Sequence, residues 1–251
     1  MSEINIIMPI FNQPEMTERS VRSVLKNSVS DYKLFFIDNG SSREIRNLFE
    51  EKYIDNKRII YLRSEKNEGC ATGKNIGLRQ LDNDCRYVIM LDYDVYVPSG
   101  WDEKLIGFME RHSEVGLSGP STNYAWSLQK IEGMPYLNTE EEIEKFALEH
   151  TAGKNFRIAK QKGLIIGFCQ IVRKEVYDEI GLLDENFKLY GGEDNDFCYR
   201  VQEAEWELAY IDSVFVYHYG NAGYGLLDAK TRDDQFVRNK NYFAEKHGYH
   251  I

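Results

Sequence analysis

Two rhythms of apolar and polar residues alternate along the N-terminal part of the chain. Ile4-Asn5-Ile6-Ile7-Met8-Pro9, Lys33 to Asp38, and Ile59-Ile60-Tyr61-Leu62 are short runs rich in β-branched and aromatic residues, the pattern of strands. Between the first two, about Met16 to Asn27 carries Val21, Val24 and Leu25 on one face and Arg19, Arg22 and Lys26 elsewhere, which predicts an amphipathic helix. Asp38-Asn39-Gly40-Ser41-Ser42 is turn chemistry and also a helix start, with Ser41 or Ser42 able to cap a helix running to about Lys52. Asn67 to Gly77 enters a further helix. The order β-α-β-α-β predicts an α/β fold with a mostly parallel, Rossmann-like central sheet flanked by helices and built with right-handed crossovers.

The stretch Tyr87 to Pro98 begins as an unbroken apolar run, as expected of a strand buried on both faces. It ends on Asp92 and Asp94. Read as continuous strand, this spacing points both carboxylates the same way, where the strand leaves the sheet. Ligands of open α/β sheets bind outside the carboxyl ends of the strands. Two converging carboxylates there suit a hard divalent cation shared with substrate phosphates.

Beyond Pro98 the pattern changes. Trp101 to His112 reads as a helix and Val115 to Pro120 as a short strand. Ser121 to Asn138 lacks periodicity and reads as a long loop, a candidate for acceptor contact. Thr139-Glu140-Glu141-Glu142 has capping-box spacing and opens a helix to about His150. Gly163 to Arg173 reads as a strand whose backbone nears a ligand at Gly167, and Lys174 to Ile180 as a short helix. Gly191-Gly192 runs into Glu193, Asp194 and Asp196 at the start of a helix to about Glu203. Val214 to His218 reads as the last strand, Gly220 to Gly225 as a loop able to close over a ligand, and Thr231 to His247 as a polar helix.

At 251 residues the chain is long for one domain and short for two. The expected division is a nucleotide-binding half to about residue 98, an acceptor-binding half over about 99–230, and a C-terminal helix over about 231–251. A net charge of −10 argues against nucleic-acid binding and means that a polyanionic substrate needs a metal to offset charge. Cys70, Cys85, Cys169 and Cys198 form no Cys-x-x-Cys pair, so neither zinc nor a disulfide framework is expected. No run approaches the ~18 apolar residues of a transmembrane span, and no signal peptide is evident, so a cytoplasmic location is expected.

Several of these stretches fall in a telling order. Pro9-Ile10-Phe11-Asn12 follows strand one and Asp38-Asn39-Gly40-Ser41 follows strand two. Asn67-Glu68-Gly69 with Lys74-Asn75, Leu91-Asp92-Tyr93-Asp94, Gly191-Gly192-Glu193-Asp194 and the late His218 come after them. Together they resemble the GT-A glycosyltransferases of the inverting family 2, from Ile4 to about Tyr219. The family commonly has Ala-Arg-Asn where this chain has Gly73-Lys74-Asn75. Gly191-Gly192-Glu193 is also similar to retaining transferases that attach N-acetylgalactosamine to peptides.

The resemblance implies a single GT-A domain that moves a sugar from a nucleotide-sugar donor, UDP-sugar favoured, to a hydroxyl of a glycan, glycoprotein or lipid-linked acceptor. It implies that Asp38 binds the nucleobase, with Pro9, Phe11 and Asn12 lining its pocket. Asn67, Gly69, Lys74, Asp92 and Gly192 complete the expected donor site, Lys74 toward a phosphate and Asp92 toward the ribose or a metal-bound water. Asp94 and His218 are the implied ligands of Mn2+ or Mg2+. Asp194 is the implied general base, with Glu193 or Asp196 as alternatives. A sugar nucleotidyltransferase would need a Gly-rich basic loop after strand one, where Pro9-Ile10-Phe11-Asn12 stands instead. A non-catalytic nucleotide-sugar-binding module is opposed by the retained acids and His218.

Overall fold

Strand β1 (Ile4–Ile10) is buried along its whole length, as its near-continuous aliphatic sequence requires. In the computed structural model, which describes residues 3–160, 162–220 and 228–249, it lies between two parallel neighbours, β2 (Tyr32–Asn39) and β4 (Tyr87–Leu91). Strand β3 (Ile59–Ser64) adds parallel to β2. The connections are α1 (Pro14–Asn27), α2 (Arg43–Lys52) and α3 (Cys70–Leu78). Because these strands are parallel, Ile10, Asp38 and Leu91 all finish at one edge of the sheet.

On the far side of β4 the sheet becomes mixed. Strand β8 (Cys169–Arg173) inserts antiparallel between β4 and β6 (Val115–Ser121), which pairs parallel with β9 (Glu207–Phe215). The short β7 (Arg157–Ile158) closes that edge, giving the order β3-β2-β1-β4-β8-β6-β9-β7. Reversal of β8 sets Cys169 beside Leu91, so the residues just before β8 arrive at the same edge as the ends of the parallel strands.

Helices cover both faces. Val21, Val24, Ile45 and Leu48 of α1 and α2 pack on one face with Trp101, Leu105 and Phe108 of α4 (Trp101–Arg111). Ala71 and Leu78 of α3 pack on the other, with Val176 of α6 (Lys174–Ile180) and Phe197 and Val201 of α7 (Glu193–Glu203). Each such valine, leucine, isoleucine or phenylalanine taken fully out of water contributes roughly 1.5–3 kcal/mol. Helix α5 (Glu140–Thr151) opens with the capping box read from the sequence: Thr139 accepts from the Glu142 N–H, and Glu142 accepts from the Thr139 N–H.

Three readings are corrected. The run from Tyr87 is not one strand: it stops at Leu91, and a separate β5 (Val95–Tyr96) pairs antiparallel with β10 (Tyr217–His218). The segment read as a strand from Gly163 forms one only from Cys169, because its earlier polar groups bond to side chains rather than a ladder. Strand β9 starts seven residues before the expected Val214, for Ala209, Asp212 and Ser213 weaken its sequence signal while pairing with β6 supplies what local preference lacks. Residues 221–225 of the expected closing loop lie outside the described residues.

Helix α8 (Ala229–His247) packs against the start of α7. Asp196 is fully buried and accepts from Arg200 Nε at 2.8 Å, Lys246 Nζ at 2.6 Å and His247 Nε2 at 2.7 Å. Asp196 is thus a tether between two helices, and the alternative that made it the base is corrected. Asp196→Ala leaves Arg200, Lys246 and His247 without their buried acceptor. It is expected to lower unfolding free energy by about 3–5 kcal/mol, measured by urea titration.

Candidate active site

The edge where β1, β2 and β4 end gathers three potential metal ligands. After Leu91 the chain turns, and the side-chain oxygens of Asp92 and Asp94 converge with a His218 ring nitrogen, all within 4.8 Å of one another. The convergence arises from a turn and not from strand alternation. Asp94 is brought in by the β5–β10 ribbon, in which Val95 is in register with His218 and the Tyr219 N–H donates to the Asp94 carbonyl at 2.8 Å.

His218 is 8% exposed and held on every side. Its ring stacks on Phe168 at 5.1 Å and meets Tyr124 edge-on at 5.5 Å. Nδ1 lies 3.0 Å from the Tyr124 carbonyl, which requires a proton on that nitrogen, and Nε2 faces Asp94 Oδ1 at 3.3 Å. The amide of Asn123 brackets the His218 backbone, accepting from its N–H at 2.7 Å and donating to its carbonyl at 2.9 Å. Burial pushes the imidazole pKa down, but Asp94, Asp92 and the Tyr124 carbonyl more than reverse this, so it lies above the ordinary value.

A second group of acids stands nearby. Glu193 is buried, and its Oε2 accepts from the Gly191 N–H at 2.8 Å. Half-buried Asp194 accepts from the Gly167 N–H at 3.2 Å and from the Asn195 N–H at 2.9 Å. Burial and the neighbouring Glu193 push its carboxyl pKa up to about 6 against the pull of Lys74. Burial raises that of Asp92 as well.

Lys74 connects the two acidic groups. It is 2% exposed, and its Nζ donates to the Gly167 carbonyl at 3.3 Å. Burial disfavours its charge, but Cys70, Asp92, Glu193 and Asp194 outweigh that cost and hold its pKa above normal. Lys74 is therefore a buried counter-charge to three carboxylates rather than a side chain presented at the mouth of a cleft. A Cβ at Gly167 would sit 2.7 Å from Lys74 Nζ, so a side chain there would push this ammonium from its place. The run read as a strand nearing a ligand at Gly167 in fact nears Lys74 and Asp194.

The residues expected at the donor site line the neighbouring strand ends. Asp38 is fully buried: it accepts from the Ser41 N–H at 2.8 Å and the Tyr61 hydroxyl at 2.7 Å, and pairs with Arg63. An ionised carboxylate offers about four acceptor positions, so these partners leave little of its capacity. Asn12 has φ 58° and accepts through its side chain from the Ser42 N–H at 2.8 Å, a contact that fixes the turn. The Phe11 carbonyl accepts from the Tyr93 hydroxyl at 3.0 Å, tying the end of β1 to the acidic turn. Asn67 accepts from the Gly69 N–H at 2.9 Å and from the Asn39 amide at 3.2 Å. Gly69 has φ 90°, and a Cβ there would meet the Leu189 backbone nitrogen at 2.8 Å. A Cβ on Gly73 would lie 2.9 Å from Asn39 Nδ2 and 3.4 Å from Pro9 Cβ, so glycine lets α3 press onto the strand ends. Gly192 has φ 95° and starts α7.

The sequence reading missed Asn39, Arg63, Asn123, Tyr124 and Phe168. Asn39 stood in a recognised turn. Asn123 and Tyr124 carry no local signal, because what they touch lies far along the chain.

Residues 5–181 match glycosyl transferase family 2, a span that stops short of Glu193, Asp194 and His218. An uncharacterized glycosyltransferase of Haemophilus influenzae is 28% identical over 158 residues, covering 63% of this chain and 60% of that protein. A chondroitin synthase of Pasteurella multocida is 25% identical over 244 residues, covering 86% of this chain and 24% of that protein. The chain thus spans less than two thirds of either relative. The structure of GalNAc-T7 with UDP, GalNAc and Mn2+ superposes with a TM-score of 0.71 at 17% identity, over 98% of this chain and 48% of that one. A mannosyltransferase of Pyrobaculum calidifontis in complex with GDP-Man and Mn2+ gives 0.67 at 12% identity, over 100% of this chain and 66% of that one. These likenesses place the fold among the GT-A glycosyltransferases. With well over half of its length matching the family, the chain belongs to glycosyl transferase family 2.

Proposed function

We propose that this chain transfers a sugar from a nucleoside diphosphate sugar, UDP-linked by preference, to an acceptor hydroxyl, with inversion at the sugar carbon. The observation that carries the reading is the pairing of a three-ligand corner, Asp92, Asp94 and His218, with a carboxylate corner, Glu193 and Asp194, through buried Lys74. Family membership supports the reaction class, and both structural neighbours carry Mn2+ with a nucleotide or nucleotide sugar.

Two carboxylates and one imidazole are a donor set suited to Mn2+ or Mg2+ rather than to a soft metal. Asp92, Asp94 and His218 would hold such a cation, which would supply charge neutralisation and Lewis-acid assistance to a departing diphosphate. The other tasks fall to the chain. Asp38, with Pro9, Phe11 and Asn12, forms the base end of the donor site. Asn67, Gly69 and Gly192 leave the backbone near the donor, and Lys74 sets a buried positive charge among Asp92, Glu193 and Asp194. Asp194 removes the proton of the acceptor hydroxyl as the oxygen attacks. Its raised pKa makes it a stronger base than a free carboxylate while leaving it largely ionised at neutral pH.

A thermal-shift panel of UDP, GDP, dTDP and CMP with Mn2+ tests the donor, followed by turnover of the matching nucleotide sugar with and without EDTA. One nucleotide is expected to raise the melting temperature in a metal-dependent way, and EDTA to stop turnover. Metal-independent turnover, or no response to any nucleotide, overturns the reading. NMR of the first product anomer separates inversion from retention.

A further inference from the structure

Helix α8 does more than tether α7. Its buried face runs along the segment that leads into Gly192-Glu193-Asp194. Lys246 Nζ and the Tyr242 hydroxyl donate to Asp184 Oδ2 at 2.7 and 2.8 Å, and Arg238 Nη1 donates to the Asn186 carbonyl at 3.3 Å. The tightest grip belongs to Asn239, which is 2% exposed. Its Nδ2 lies 3.1 Å from the Lys188 carbonyl, 3.1 Å from that of Tyr190 and 2.7 Å from that of Gly191. Two N–H bonds are shared among these carbonyls, and a carboxylate of the same shape has none to offer them. Asn239 Oδ1 accepts from Gln235 at 2.8 Å, which fixes which end of the amide faces the segment.

The gripped segment is one that needs holding. Leu189 has φ 57°, Gly191 φ 90° and Gly192 φ 95°, so the backbone runs through the left-handed region at three of four positions. On the donor side the Leu189 carbonyl accepts from the Cys70 N–H at 2.5 Å. The segment is therefore held between the start of α3 and the buried face of α8, and Asp194 follows directly.

We propose that Asn239 is a positioning residue for the transfer: by holding residues 188–191 it keeps Asp194 aimed at the acceptor. This rests on the base role given to Asp194 above. Misplacing a catalytic group by about 1 Å can cost about 10²-fold. Asn239→Asp keeps the shape and removes the donors. It is expected to lower kcat about 10- to 100-fold, with donor KM and UDP–Mn2+ affinity within about twofold of the unsubstituted protein. Asn239→Gln, which retains the amide, is expected to recover part of the loss. Amide hydrogen exchange of residues 189–195 is expected to speed up in Asn239→Asp. If that variant does not fold, Gln235→Ala, which removes one of the two donors to Asn239 Oδ1 and leaves Arg238 Nη1 at 3.2 Å, is expected to show a smaller loss of kcat and of protection in the same direction. Unchanged kcat per folded molecule, or unchanged exchange, overturns the proposal. If the unsubstituted protein shows no transfer, the glycosyltransferase reading has failed, and exchange alone decides whether Asn239 holds the segment.

Discussion

Asp94→Ala is expected to abolish transfer, with a loss of about 10³-fold or more, and to abolish Mn2+-dependent binding of the nucleoside diphosphate. Asp94 is 5% exposed, and its carboxylate is the group that His218 Nε2 faces at 3.3 Å. Its removal takes away one of the three side chains proposed to hold the cation and strips His218 of the charge that most offsets its burial. A cation stabilises a departing diphosphate by several kcal/mol, and each 1.36 kcal/mol is a factor of about ten in rate. Titration calorimetry of UDP with Mn2+, beside near-ultraviolet circular dichroism to verify folding, reads the effect. Retention of metal-dependent binding in the folded variant would remove Asp94 from the ligand set.

Asp194→Asn separates chemistry from binding. The amide keeps the contacts to the Gly167 and Asn195 N–H groups through one oxygen at a time but takes no proton from an acceptor. The expected result is a fall in kcat of about 10²–10⁴-fold with UDP–Mn2+ affinity preserved. In the unsubstituted protein the rate is expected to fall as pH drops through about 6, the value to which burial and Glu193 push Asp194. The sign for stability is the reverse. A carboxyl whose folded pKa lies above its unfolded one favours folding at low pH, and that contribution is lost as pH rises through the folded value. Asp194→Asn is accordingly expected to raise the melting temperature above about pH 6 while lowering activity. A variant that turns over normally would move the base elsewhere, with Glu193 first in line.

The parallel half of the fold is legible because its strands are apolar throughout and its helices are amphipathic, each pattern with one reading. Beyond Pro98 legibility falls off for physical reasons. Strand β6 is read from the sequence over Val115 to Pro120, but its Gly116, Ser118, Gly119 and Pro120 do not announce that it is fully buried, with Trp206 so close that a Cβ at Gly116 would meet it at 2.8 Å. Strand β8 is antiparallel, which no local pattern announces. Asp92, Asp94, Glu193 and Asp194 stand out as acids at the ends of apolar runs or after paired glycines. His218 stands out only by its place in the motif order. What holds these side chains, Asn123, Tyr124, Phe168 and Asn239, depends on pairings between distant parts of the chain. Lys74 illustrates the limit: the sequence offers a helix lysine, and only the fold turns it inward onto three carboxylates.

The ribbon of β5 and β10 carries a consequence for how such a protein becomes competent. Asp94 comes from the first half of the chain and His218 from near its close, and they meet because Val95 and His218 are paired across two short segments. A growing polypeptide that has finished β1 to β5 already holds both aspartates, but the imidazole has yet to be synthesised. On the proposed metal-site reading, a fragment ending before Tyr217 would lack the β5–β10 pairing and the imidazole that joins Asp92 and Asp94, and is expected to lose metal-dependent nucleotide binding.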